Sequence, residues 1–181
     1  DASRWVIGYQ NYAESRIERT RASSTRTIQS ESVDATSINW DAQKQIGKGS
    51  FFYGLEYVYN QVGSVGSRTN IITGSTAPFA SRYPNNSRWQ TSGAYGSYKL
   101  NLHKSLTLIS GLRFSYNQLN SNFDTTFIKF PYKKASIKDG GLTGNLGLVY
   151  RPSDKLQLNA NFSTGYRMPN VDDVGKLFES V

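Results

Sequence analysis

The chain has 181 residues, the length of one domain or of a piece of a larger one. It holds no cysteine and one histidine, His103, which excludes disulfides, thiolate metal sites, cysteine nucleophiles and multi-histidine metal centres. A net charge of +8 invites a nucleic-acid reading, yet aromatics reach 13%, mean hydropathy is −0.54, and no apolar run approaches the ~18 residues of a membrane helix.

Period-two alternation predicts strands along nearly the whole chain. Trp5, Ile7 and Tyr9 open the first, with Gln10, Tyr12, Glu14 and Arg16 on its other side. A weaker one runs over 32–45, with Ile38 and Trp40 on one parity. In the third, Phe51, Tyr53, Leu55, Tyr57 and Tyr59 oppose Phe52, Gly54, Glu56, Val58 and Asn60. The fourth sets Ala94, Tyr98, Leu100 and Leu102 against Tyr95, Lys99 and Asn101, and the fifth sets Leu106, Leu108, Leu112, Phe114 and Tyr116 against Thr107, Arg113 and Asn117. Leu142, Leu146, Leu148 and Tyr150 mark the sixth. Leu156, Leu158, Ala160, Phe162 and Tyr166 mark the seventh, opposite Asn159 and Asn161. No helix is predicted before Val171.

Short and long connections alternate. Residues 46–49, 103–105 and 152–155 read as tight hairpin turns with suitable glycine or Pro-Ser-Asp chemistry, whereas 17–27, 62–89 and 120–140 read as long loops. Strands of 11 to 14 residues exceed the ~5–6 usual in globular sheets and suffice to cross a bilayer when tilted. Short turns at one end, long loops at the other and rings gathered toward the loop end (Tyr57, Tyr59, Phe114, Tyr116, Phe162, Tyr166) predict an all-β, antiparallel up-and-down transmembrane β-barrel. Leu100, Leu108, Leu148 and Leu158 should share its outer face, with Arg113, Lys99, Glu56 and Asn145 facing the lumen. The cation clusters Arg16, Arg19, Arg21, Arg26 and Lys129, Lys133, Lys134, Lys138 then fall in solvated loops.

Near the end stands Ser163-Thr164-Gly165-Tyr166-Arg167-Met168-Pro169-Asn170, followed by an acidic-apolar stretch that closes on Leu177-Phe178. It resembles the Gly-Phe-Arg-Ala-Pro-Asn box of TonB-dependent outer-membrane receptors of the haem and siderophore type, with Tyr166 for Phe and Met168 for Ala. Gln10, Glu14, Ser15, Arg16 and Arg19 resemble another strand of those receptors, and Gly54-Leu55-Glu56-Tyr57 and Gly111-Leu112-Arg113-Phe114 are similar to their repeated strand motifs. The resemblance implies import of a scarce ligand such as an iron-siderophore or haem across the outer membrane of a Gram-negative bacterium. It implies as partners outer-membrane lipid, a plug domain of the same chain, and TonB reached through that plug.

At about 26 residues per strand, a ~22-strand transporter needs on the order of 570 residues, so residues 1–181 are expected to be part of one barrel domain whose plug and other strands lie outside them. The sequence starts at Asp1 without a secretory leader, as a processed or internal segment would. Detached from the rest of its barrel, such a segment should aggregate or pair edge to edge.

Four residues stand out as ligand contacts. Arg167 ends a strand because Pro169 cannot continue the ladder, and by parity it faces the lumen at the rim while Tyr166 faces lipid. Arg113 lies on the polar lumen face. Arg82 and Tyr83 sit in a loop rich in cations and rings (Phe79, Arg88, Trp89) that suits an anionic aromatic ligand or iron chelate. No catalytic, cofactor or metal site is expected: the carboxylates are scattered, and Asp172 and Asp173 as strand neighbours would point apart. Two other readings remain, a soluble β-sheet module for nucleic acid or polysaccharide and a complete small outer-membrane barrel, and the odd strand count disfavours the latter.

Overall fold

A computed structural model describes residues 1–127, 132–171 and 173. Its strands are β1 (Ala2–Glu18), β2 (Thr25–Ile46), β3 (Gly49–Asn70), β4 (Thr76–Phe79), β5 (Ser87–His103), β6 (Leu106–Asn122), β7 (Lys134–Ser153) and β8 (Leu156–Ser163). Seven pair in chain order, β1-β2-β3-β5-β6-β7-β8, every pair antiparallel, and four-residue β4 adds to the upper part of β3. This is the wall of a half-barrel. Among the described residues β1 and β8 do not pair, so the sheet is open there.

The predicted strands are present, and all but the last, which the structure ends at Ser163, run longer than the alternation predicts. Those of β2 and β3 reach 22 residues, because both continue past the bilayer and pair up to Thr25 with Asn70. Much of what reads as long loop is therefore strand, Ser, Thr, Gln and Arg on both faces hiding the period there. The asymmetry of the ends survives. The short turns each hold two residues, 47–48, 104–105 and 154–155, while the other end carries 19–24, 71–86 with β4 inside it, and 123–133. Gly47, at φ +60°, opens the first short turn in a conformation that side-chain-bearing residues resist.

Register sorts the two faces. One row runs Trp5, Trp40, Leu55, Ala94, Phe114 and Leu142, apolar across six strands. A lower row on that face holds Leu100, Leu108, Leu148 and Ala160, and Leu158 lies on the same face, as expected. On this face Leu112, Leu142 and Phe162 are 62%, 68% and 72% exposed. On β6 the apolar outer positions extend from Leu106 to Tyr116, matching the ~9–11 residues a tilted strand needs to cross hydrocarbon. Above them Tyr9 and Tyr59 lie in one row with Thr36, Gln90, Gln118 and Lys138, and the next row is wholly polar from Asn11 to Ser136. That sequence of apolar, aromatic and polar rows is the lipid boundary.

The other face is polar at the same level. Arg4, Asp41, Tyr95, Arg113 and Thr143 share a row, and Glu56 stands in the next. Arg113 is clamped by Glu56 through Nη1 (3.1 Å) and Nη2, and its Nε donates to Ser115 Oγ at 3.0 Å. The Tyr95 hydroxyl donates to Asp41, which also meets Arg4 at 3.4 Å. Higher up the inner wall turns apolar, where Val62, Leu119, Met168 and Val171 form a buried cluster flanked by Val33, Tyr83, Trp89, Ile137 and Tyr166.

That cluster corrects one expectation. β8 ends at Ser163, so strand parity does not carry to Tyr166, and the chain turns inward instead of staying on the lipid face. Its ring rests on Gly141 of the inner wall, where an added Cβ would stand 2.5 Å from Tyr166 Cδ2. Asp172, Lys129 and the Leu177-Phe178 end of the box lie outside the described residues.

Candidate functional site

The concave inner face carries a walled site at the rim, and the pairing of β1 with β2 begins it. Their register sets Glu14 opposite Glu31 and Tyr12 opposite Val33, all on the inner face. β3 continues the wall with Asn60, Val62 and Ser64. Over it folds the segment 80–87. Gly66 admits it, since a Cβ there would meet the Ala80 carbonyl at 2.3 Å, and Gln29 Nε2 donates to the same carbonyl at 3.1 Å. Ser64 fixes the rest: its Oγ accepts from Tyr83 N at 3.2 Å and its N donates to Asn85 Oδ1 at 3.0 Å.

The result brings Arg82 and Tyr83 against β1. Arg82 Nη1 donates to Glu14 Oε1 at 3.3 Å, and its guanidinium carbon lies 5.2 Å from the Tyr83 ring centre. The Tyr12 hydroxyl donates to the other Glu14 oxygen at 2.7 Å. Trp89 enters from β5, on the inner face opposite Asn60, and Asn170 and Val171 close the far side. The cavity, half-open to solvent, is about 250 Å³.

Glu31 is the unusual member. It is 6% exposed, and neither of its oxygens meets a donor among the described residues. It stands on the part of β2 that projects beyond the lipid boundary at Thr36. Burial pushes its carboxyl above the ordinary carboxylate range; Arg82 and Arg16 act in the opposite direction and Glu14 adds to the rise.

Of the four sequence candidates, Arg82 and Tyr83 reach this site. Arg113 sits deeper, on the lumen wall, committed to Glu56. Arg167 lies at the rim with its side chain 78% exposed, and its Nη2 meets both Asp173 oxygens at 2.9 Å. Asn170 and Asp173 bond reciprocally, Asn170 N to Asp173 Oδ2 at 2.9 Å and Asp173 N to Asn170 Oδ1 at 3.1 Å, in the manner of a capping box. Phe79 is held in the β4 hairpin, 3.7 Å from the Arg68 guanidinium, while Arg88 has the opposite parity to Trp89 and faces outward. Sequence reasoning missed Tyr12, Glu14, Glu31 and Asn60. The alternation of β1 puts Tyr12 and Glu14 on one face, but only the hairpin register brings Glu31 beside them.

Among the described residues no group of three metal-ligating His, Cys, Asp or Glu side chains occurs. The site can therefore bind through charge, hydrogen bonds and ring faces.

A family model described as "TonB dependent receptor-like, beta-barrel" matches residues 1–177. Among solved structures, the chain is similar to the copper transporter OprC, with a TM-score of 0.79 and 16% identity over 93% of this chain and 28% of that one. The ferric yersiniabactin uptake receptor FyuA of Yersinia pestis follows at 0.65 and 15%, over 88% and 24%. The ferric citrate transporter FecA gives 0.52 and 18%, over 87% and 24%. At these identities the likeness is one of fold, and the chain spans 24–28% of the length of the structures it matches. No curated protein sequence matches.

Proposed function

Because the chain belongs to the TonB-dependent receptor β-barrel family of Gram-negative outer-membrane proteins, we propose that it forms the ligand-facing part of an importer for a scarce small molecule such as an iron-siderophore or haem. The observation that carries the reading is the division of one sheet into an apolar outer band and a polar inner wall that ends in a walled rim cavity. An importer needs both: lipid contact outside, and inside a hydrated path with a capture site at its mouth. Family members are transporters and not enzymes, and the cavity's groups suit binding.

In this reading Arg82 and Tyr83 touch the ligand at the rim. Arg167 and Arg113 take part by exchanging Asp173 and Glu56 for an anionic ligand group or a plug carboxylate, a use that arginine's planar fork permits. The remaining partners are outer-membrane lipid, the plug and, through it, TonB, which delivers energy where no ATP is available.

The test is uptake of a radiolabelled ferric chelate or haem by cells carrying the full-length receptor, with and without TonB. Uptake should depend on TonB, and Arg82→Ala and Arg167→Ala should lower it while the barrel still assembles in the outer membrane. TonB-independent passage, or unchanged uptake in both variants, would refute the reading.

A further inference from the structure

The rim cavity contains two polar groups that its own walls leave unanswered. One is the Glu31 carboxylate, buried with no donor to either oxygen among the described residues. The other is Trp89 Nε1, buried without an acceptor among the described residues. Glu14 accepts from Tyr12 and Arg82, and neither Arg82 nor Arg16, the two cations whose charge reaches Glu31, makes a hydrogen bond to it among the described residues. Buried polar groups are ordinarily satisfied, and those that are not call for a partner.

We propose that this cavity receives the protonated amine of a small ligand, the ammonium donating to Glu31 and a ligand acceptor atom meeting Trp89 Nε1. Tyr12, Tyr83 and Trp89 present ring faces to a cation and its methylenes, and Val33 and Val62 present an apolar wall. An anionic group would meet two carboxylates with Arg82 already engaged. A purely apolar group would leave Glu31 and Trp89 as they are. A bare metal ion would find two carboxylates and no third ligating side chain among the described residues. At about 250 Å³ the cavity is smaller than the ~300–1,000 Å³ pockets that swallow a whole ligand, so it holds one arm of the cargo. This deepens the import reading and rests on it: the cargo carries an ammonium-bearing arm.

The experiment titrates the full-length receptor in detergent micelles by calorimetry at pH 7.5 with 2-phenylethylammonium, using 3-phenylpropionate and 2-phenylethanol as anionic and neutral counterparts. The ammonium should bind at least tenfold more tightly than either. Glu31→Gln, which keeps the shape and removes the charge, should erase that preference, and Trp89→Phe should weaken binding several-fold. Val33→Phe, which fills the cavity from its wall, should abolish binding, and Ser50→Ala, at the opposite end of the inner face, should leave it unchanged. Equal affinity for the three probes, no binding of the ammonium, or a preference that survives Glu31→Gln would overturn the proposal. TonB-dependent uptake that persists without ammonium binding would sink this inference alone, whereas ammonium binding without any TonB-dependent uptake would sink the import reading.

Discussion

Gly141 is where one added methyl group tests how the rim is built. A Cβ there would stand 2.5, 2.6 and 2.9 Å from Cδ2, Cγ and Cε2 of Tyr166, closer than side-chain carbons approach one another, and a ring held at three of its atoms must move as a whole. Tyr166 packs against the cluster of Val62, Leu119, Met168 and Val171, so displacing it loosens the turn that carries Arg167. Fully burying a ring of this size is worth about 1.5–3 kcal/mol, and Tyr166 is half-buried, so Gly141→Ala should cost the docked turn about 1–2 kcal/mol. That is roughly a 5–30-fold rise in the undocked population. Trypsin reads it directly, because the Arg167–Met168 bond lies in the turn, and cleavage follows the open population when closing outruns cutting. In the full-length receptor Gly141→Ala should raise the cleavage rate at this bond by about that 5–30-fold factor. Tyr166→Ala should act similarly, and the double variant should add little, since both remove one contact. Cleavage of Gly141→Ala at the unaltered rate would mean that Tyr166 is not seated on Gly141.

Three further outcomes follow from the wall. Removing one partner of the half-buried Arg113–Glu56 clamp, by Arg113→Met or Glu56→Gln, should cost about 1–3 kcal/mol in urea unfolding of the full-length barrel, with the double variant less than additive. Leu112→Lys places a charge in the outer apolar band and should cost about 2–4 kcal/mol in folding into lipid vesicles, whereas Thr91→Lys on the lumen face should cost much less. Glu31 holds its proton more tightly when folded than unfolded, so its contribution to stability is greatest at low pH and is lost as pH rises from the ordinary carboxylate range through the raised value. Glu31→Gln should therefore raise the thermal midpoint at pH 7.5 more than at pH 4, and an equal effect at both would contradict this.

The barrel wall was legible because hydrocarbon imposes a rule on every second residue. Leu106, Leu108, Leu112, Phe114 and Tyr116 reveal β6 by themselves, and their partners repeat the pattern. Above the lipid boundary no such rule acts, and β2 and β3 continue there as Thr-Ser-Gln-Arg strands that read as loops. Arg82 and Tyr83 were legible as a cation beside a ring. Their placement was not, since it depends on Gly66 and Ser64 admitting the 80–87 segment, contacts made across the sheet. Tyr166 shows the limit of parity: alternation assigns it to the lipid face only if the strand continues, and β8 stops at Ser163 before the segment leading to Pro169 turns inward.

The central claim is that this sheet separates lipid from a watery lumen, and single cysteines measure it directly, since residues 1–181 hold none and any elsewhere in the full-length receptor can be replaced by serine. Single cysteines placed in turn at Leu108, Ile109, Ser110, Gly111, Leu112 and Arg113 of the membrane-inserted full-length receptor would be treated with a water-soluble maleimide and, separately, with a fluorophore quenched by brominated lipid. Positions 109, 111 and 113 should react with the maleimide and resist quenching, and 108, 110 and 112 should do the reverse. Uniform reactivity along the six positions, or the opposite parity, would contradict the account.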